Sequence, residues 1–358
     1  MPRGSAARDA RLAAAITSWF KTNARPFPWR PSKGKRDPYV ALVSEVMLQQ
    51  TQAARVAERL PGFLERFPTV LALAEASEDD VLSAWTGLGY YRRARTLHAC
   101  AKVIVASHDG RVPRSAEGLR TLPGIGPYSA GSLASIVFGQ REPIVDANVA
   151  RVLLRIEGVE ASPKEPGVVR WLWERADDLV GRAERPGVFN EGMMELGALI
   201  CMPRSARCGA CPVAKSCRAR RNETVDTIPL AAPGGKKRTI HHAAVIVRDS
   251  AGRVLMERRA DKGLWAAHWQ AVAVEQNTGE PSAAEIRAAL GVRGLKRMGE
   301  HTRVTSAARV EIVVYSASGA DGRRGEWIAP QQLSAMPVAG PHRSLLGLSE
   351  STVRASAT

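Results

Sequence analysis

The 358-residue chain carries 51 lysines and arginines against 35 aspartates and glutamates, a formal charge of +16 that predicts a polyanionic partner such as nucleic acid. Its 45% apolar and 24% charged fractions exclude a mostly disordered chain. No apolar run approaches the roughly 18 residues of a membrane span, and residues 1–15 lack the apolar core and cleavage site of a secretory signal.

In chain order, apolar residues recur at helical spacing over 39–54, 92–107, 127–138 and 168–179. Turn signals at Phe67-Pro68, His108-Asp109-Gly110 and Arg185-Pro186-Gly187 punctuate them. Residues 226–239, with two prolines, two glycines and three cations, read as a linker. Beyond it, 243–247, 253–257, 270–274 and 309–315 read as strands, the last rich in β-branched Val310, Ile312, Val313 and Val314. One helix is expected at 283–290, and the chain is expected to fray from about Glu350. The predicted architecture is an all-α domain over 1–225 followed by a smaller α+β domain over 240–350. Both are basic: 33 cations against 24 anions up to residue 230, and 18 against 11 beyond it. With no coiled-coil seam, a soluble cytoplasmic monomer is expected, nucleoid-associated if bacterial.

Three features carry chemistry. Glu45 lies in the apolar stretch Ala41-Leu42-Val43-Ser44-Glu45-Val46-Met47-Leu48. Buried, it would have a raised pKa and suit a general acid; on an exposed helix face it would be unremarkable. Leu122-Pro123-Gly124-Ile125-Gly126-Pro127-Tyr128 places a tight glycine turn before a helix whose N-terminal amides can bind phosphate. Taken alone that signal is weak, since many helix connections use glycine. Asp146, in Val145-Asp146-Ala147-Asn148, is either a functional acid or a helix N-cap.

Cys201, Cys208, Cys211 and Cys217 are spaced C-x6-C-x2-C-x5-C. Four thiolates from one short loop suit a soft metal centre. A structural zinc site usually pairs two C-x2-C knuckles, and only one is present. The spacing therefore favours a [4Fe–4S] cluster over zinc, although spacing alone does not name the metal. Arg204, Arg207, Lys215, Arg218, Arg220 and Arg221 accompany the thiols with no acid among them. They either compensate thiolate charge or grip phosphates, and both can hold. Cys100 reads as a small buried hydrophobe.

SEVMLQQT (44–51), TGLGYYRRAR (86–95), LPGIGPYSAG (122–131), VDANVARVL (145–153), FNEGMMELGALIC (189–201) and the cysteine loop together resemble the MutY-type adenine DNA glycosylases. These are helix-hairpin-helix enzymes related to endonuclease III. The resemblance spans about residues 10–220 and continues more weakly to about 348, where that family has a Nudix-like domain. It implies a multi-domain protein: a helix-hairpin-helix glycosylase domain with a [4Fe–4S] loop at 201–217, then a Nudix-like lesion-recognition domain. The implied partner is double-stranded DNA holding A:8-oxoguanine or A:G mispairs.

By the same resemblance Glu45 would protonate adenine at N7, and Asp146 would stabilise the oxocarbenium ion. Asn148 and Tyr128 would hold these groups in position. Gln50 and Tyr90 would wedge into the base stack, Trp29, Arg30 and Glu191 would line the adenine pocket, and Gly124 and Gly126 would meet the DNA backbone. Trp29 has a plain alternative as a core aromatic. Tyr128 stands where endonuclease III-like enzymes carry a Schiff-base lysine, which predicts little lyase activity.

The chain departs from the family in two places. An apparent extra turn holding Lys33, Lys35 and Arg36 is expected to alter only a surface loop. The Phe-Ser-His loop that probes 8-oxoguanine is replaced by Thr305-Ser306-Ala307, leaving Ser306 as the residual hydrogen-bonding group and His301 or Arg303 as substitutes. A nucleotide hydrolase in the second domain would need several helix glutamates, and 283–290 offers only Glu285. The cations Arg92, Arg93 and Arg95 read as a further grip on DNA. Two competing readings remain at this level: an endonuclease III-like glycosylase/lyase, and a non-catalytic iron–sulfur DNA-binding protein.

Overall fold

A computed structural model describes residues 4–31, 35–231, 237–260, 262–305, 308–321, 324–333 and 336–348. It divides into two compact units, Met1–Gly234 and Gly235–Thr358. Among the described residues no helix is long and apolar enough to cross a membrane.

The first unit is helical. It begins with α1 (Ala6–Asn23), α2 (Pro38–Leu48), α3 (Ala53–Arg66), α4 (Val70–Glu75), α5 (Glu78–Ala84) and α6 (Arg92–Ser107). There follow α7 (Ala116–Arg120), α8 (Pro127–Ile136), α9 (Ala147–Glu157), α10 (Pro166–Val180), α11 (Pro186–Leu199) and the single turn α12 (Arg218–Arg221). The helix expected over 92–107 stands unchanged as α6. The one expected over 39–54 is two helices, broken where Gln50 takes a left-handed φ of 58°.

Two hydrophobic cores organise this unit. One gathers Leu42, Val46, Phe63, Trp85, Leu97 and Leu133. The other gathers Leu12, Ile16, Leu153, Leu172, Phe189 and Leu196. Each fully buried leucine contributes roughly 1.5–3 kcal/mol. Helix α2 belongs to the first core and α9 to the second. Part of the expected linker also packs here: Ile228 is buried, and its carbonyl accepts from Arg155 Nε at 2.8 Å.

The second unit is α+β. Its strands are β1 (Arg238–Val247), β2 (Val254–Arg258), β3 (Trp269–Ala271) and β4 (Ala273–Gln276), followed by α13 (Ala283–Leu290). Then come β5 (Val292–Arg293), β6 (Lys296–Val304), β7 (Ala308–Ala317), β8 (Gly319–Ala320), β9 (Glu326–Ile328), α14 (Pro330–Leu333) and α15 (Gly340–Leu345). A four-stranded sheet runs β4-β1-β7-β6, with β1 and β7 parallel in register from Arg238↔Ala308 to Val247↔Ala317. A second sheet runs β3-β2-β9, and β5 pairs β8. The sequence reading missed β6. All of it but His301 is exposed, so no apolar alternation marks it.

Candidate active site

Glu45 lies within α2, which Pro38 opens and Asp37 caps by accepting from the amides of Tyr39 and Val40. Its neighbours Leu42, Val43, Val46 and Met47 are buried, and Glu45 itself is only 9% exposed. Helix α8 supplies its partners: Ser129 Oγ donates to Oε1 at 2.9 Å and Ser132 Oγ to Oε2 at 3.0 Å. Burial pushes the carboxyl from 4.5 up to about 7; the two serine bonds pull it back in part, and the charge of Asp146 raises it further. Sequence reasoning missed both serines. Their i, i+3 spacing, which puts both hydroxyls on one face of an apolar helix, was the available signal.

Asp146 does cap α9: Oδ1 accepts from the Val149 amide at 2.7 Å. Its second oxygen, Oδ2, accepts from Asn148 Nδ2 at 3.0 Å. Asn148 Oδ1 in turn accepts from Arg151 Nη2 at 2.8 Å, and Arg151 Nε donates to the Cys201 carbonyl at 2.7 Å. Helix α11 comes close enough to support this chain only because residue 197 is glycine; a Cβ there would lie 2.6 Å from Asn148 Cβ. Tyr128 is placed otherwise than expected. Its hydroxyl donates to Met194 Sδ at 3.1 Å rather than to a carboxylate. Burial, and then the charges of Glu45 and Asp146, hold it well above its ordinary pKa.

Trp29 is buried against the first core and stacks on Phe27, with centroids 4.6 Å apart. Arg30 Nε donates to Glu191 Oε1 at 2.9 Å, which brings together two of the three expected pocket residues. The extra turn before α2 does more than reshape a surface. Lys33 lies outside the described residues, but Arg36 Nη2 donates to Glu191 Oε2 at 2.6 Å. Both oxygens of this buried glutamate are therefore held by guanidinium groups, because Arg36 folds back where its neighbours could not reveal it.

Gln50 and Tyr90 are both exposed, and both hold left-handed backbone, with φ of 58° and 47°. For residues other than glycine such conformations cost on the order of 1–3 kcal/mol each, and they cluster at functional sites. The expected cationic run beside Tyr90 needs correction. Arg92 is exposed, Arg95 donates to Glu78 at 2.8 Å, and Arg93 is buried with its guanidinium turned inward, so Arg93 is no surface cation. In the hairpin between α7 and α8, Gly124 has φ +76°, and a Cβ there would meet Thr96 Cγ2 at 2.2 Å. Ile125 is buried beneath the turn, and no side chain caps α8 at Gly126, whose surroundings are open. Gly126 and Pro127, where α8 begins, are exposed, while Ser129 and Ala130 of the same turn are buried.

Cys201, Cys208, Cys211 and Cys217 are half-buried and line one cavity walled by Val152, Ile156, Leu196, Ile200 and Val213. Arg155 Nη1 donates to Cys201 Sγ at 3.4 Å. Among the described residues no three Cys, His, Asp or Glu side chains form a group suited to one metal ion. Arg204, Arg207, Lys215, Arg220 and Arg221 are exposed around this loop, while Arg218 pairs with Glu157 at 3.7 Å.

In the second unit Ser306 and Ala307 lie outside the described residues. Thr305 is engaged in its own turn: its Oγ1 accepts from the Ala308 amide at 2.9 Å. Of the two substitutes on β6, Arg303 is exposed and His301 half-buried. Glu285 is occupied in a capping box with Ser282, its Oε2 accepting from the Ser282 amide at 2.7 Å.

Residues 43–177 match the family model of HhH-GPD superfamily base excision DNA repair proteins, and residues 243–348 match that of the NUDIX domain. The chain is 45% identical over 213 residues to the human adenine DNA glycosylase, covering 58% of this chain and 39% of that one. It is 32% identical over 253 residues to the adenine DNA glycosylase of Buchnera aphidicola, covering 70% of this chain and 71% of that one. Among solved structures, a thermostable thymine-DNA glycosylase shares 30% identity with a TM-score of 0.55, covering 61% of this chain and 100% of that one. The chain spans about two fifths of the human relative's length.

Proposed function

The chain belongs to the helix-hairpin-helix superfamily of base excision DNA repair proteins, among its MutY-type adenine DNA glycosylases, and on that premise we propose that it releases adenine from duplex DNA by hydrolysing the N-glycosidic bond. The observation that carries this reading is Glu45, a buried carboxyl raised to about 7 and held between two hydroxyl donors. An acid with that pKa still holds a proton near neutrality and can give it up. The target adenine leaves the base stack first, at a cost of a few kcal/mol, with Gln50 and Tyr90 filling the space it vacates. Glu45 then delivers its proton to adenine N7. The C1′–N9 bond breaks and its electron pair leaves with the base. The Asp146 carboxylate, oriented by Asn148, faces the cationic sugar until water adds at C1′ and passes a proton to the Glu45 carboxylate that the first step left. Trp29, Arg30 and Glu191 would line the base pocket, and Gly124 and Gly126 would meet phosphate.

Tyr128 offers no amine for a Schiff base, which supports a glycosylase without efficient strand cleavage. The four-cysteine cavity fits a [4Fe–4S] cluster by its donor set and its apolar walls. Once bound, the cluster would join the loop's four thiolates and so fix the exposed cations around them against phosphates. The second unit serves recognition rather than hydrolysis, since Glu285 is spent on a helix cap. Adenine opposite 8-oxoguanine or guanine is the proposed mispair, read by a monomer; Ser306 is the proposed contact to the opposing base, with His301 or Arg303 as its substitute.

The test is a duplex with one labelled adenine opposite 8-oxoguanine or guanine. Base loss that becomes strand scission only after alkali supports the reading. Scission without alkali, or a borohydride-trapped complex formed as efficiently as by a lyase, supports the endonuclease III-like alternative. Tight binding without base loss would leave a DNA-binding protein.

A further inference from the structure

Arg93 lies in the first turn of α6 with its side chain buried, and its two terminal nitrogens work on different loops. Nη1 donates to the carbonyls of Val46 at 3.0 Å, Met47 at 2.8 Å and Gln49. The first two are carbonyls of the last turn of α2, which a helix leaves without internal partners, and the third belongs to the residue just past its end. Nη2 donates to Thr51 Oγ1 at 2.9 Å and to the carbonyls of Leu88 and Gly89 at 3.1 Å. The guanidinium also lies over the rings of Trp85 and Tyr90, 5.4 and 5.6 Å from their centroids.

The residues it grips have a particular place in the chain. Gln49 and Gly89 immediately precede Gln50 and Tyr90, the two exposed residues with left-handed backbone. Their carbonyls belong to the peptide planes that must rotate if either φ is to relax toward ordinary values. One guanidinium therefore clamps both planes at once. We propose that Arg93 is the positioning residue that holds Gln50 and Tyr90 together in their strained, outward-facing conformations, so that both wedges are set before DNA arrives. This rests on the adenine glycosylase reading for what the wedges do, and on the geometry alone for what Arg93 does. A planar fork is required: an ammonium is a single point charge and cannot serve carbonyls on two sides.

The experiment is a cycle of four proteins: wild type, Arg93→Lys, Gln50→Ala/Tyr90→Ala, and all three changes combined. Single-turnover release of adenine from a duplex opposite guanine is the readout. Arg93→Lys is expected to slow wild type by at least tenfold but to slow the wedge-less protein by less than twofold. Equal losses in both backgrounds would overturn the inference, since damage to the fold at large adds independently of the wedges. If Arg93→Lys does not fold, Thr51→Val removes one acceptor while leaving the arginine in place. It should slow wild type by about threefold through the same coupling. If wild type itself releases no adenine, the activity reading fails. The Arg93 inference is then decided by fluorescence of 2-aminopurine placed in the duplex, which reports unstacking without chemistry. Enhancement on binding should be lost in Arg93→Lys, and enhancement equal to wild type would overturn the inference.

Discussion

The hydroxyl of Ser132 stands 3.0 Å from Oε2 of Glu45 and works against the burial that surrounds both. Burial favours the protonated acid, whereas a donated hydrogen bond favours the carboxylate. Ser132→Ala removes only the second influence, so the Glu45 pKa should rise above its value of about 7. Excision should then persist to higher pH than in wild type, and the fold should lose about 1 kcal/mol. A pH–rate profile beside a melting curve checks both.

Glu45→Gln should abolish excision while leaving binding to the mispair largely intact, because it removes the proton but keeps the shape. It also makes a prediction about stability. A carboxyl raised from 4.5 to about 7 in the folded protein contributes stability that is present below the unfolded pKa and lost as pH rises through 7. Above that the loss is complete, at most about 3 kcal/mol. Glu45→Gln does not titrate, so its melting temperature should overtake that of wild type between pH 5 and 8. Parallel curves would show that Glu45 titrates normally.

Gly197→Ala places a methyl group 2.6 Å from Asn148 Cβ and 3.1 Å from its Cα and carbonyl oxygen. Backbone cannot yield cheaply, so destabilisation of about 1–3 kcal/mol is expected. Excision should fall more than DNA affinity, because Asn148 is what orients Asp146. Gly167→Ala, with nothing within 4 Å of its Cβ, should stay within about 0.5 kcal/mol of wild type.

Replacing Cys208, Cys211 or Cys217 by serine should lower bound iron and weaken DNA binding more than it slows release of adenine at saturating DNA. Iron and zinc analysis of the purified protein tests the first half. Zinc without iron would remove the [4Fe–4S] reading.

What the sequence made legible followed from local physics. Helix 283–290 is framed by Ser282, Glu285 and Gly291, which form its capping box and its left-handed C-cap. Glu45 stood out as a charge among apolar neighbours. What escaped reading depends on contacts made across the chain. The break after Leu48 is supported by Arg93, far along the sequence, and nothing near Gln50 announces it. Arg93 and Arg36 looked like surface cations because an arginine's neighbours do not reveal where its guanidinium ends. Strand β6 carries no alternation because nearly all of it faces outward. Which sheet edge it occupies is settled only by pairing with β7.

The most direct test is single-turnover release of adenine from a duplex carrying one A:8-oxoguanine pair, measured from pH 5 to 9 for wild type and Glu45→Gln. A wild-type rate that falls as pH rises through about 7, with no release by Glu45→Gln at any pH, is the predicted result. Substantial turnover by Glu45→Gln, or a wild-type rate that stays flat through that range, would contradict the assignment of Glu45 as the acid.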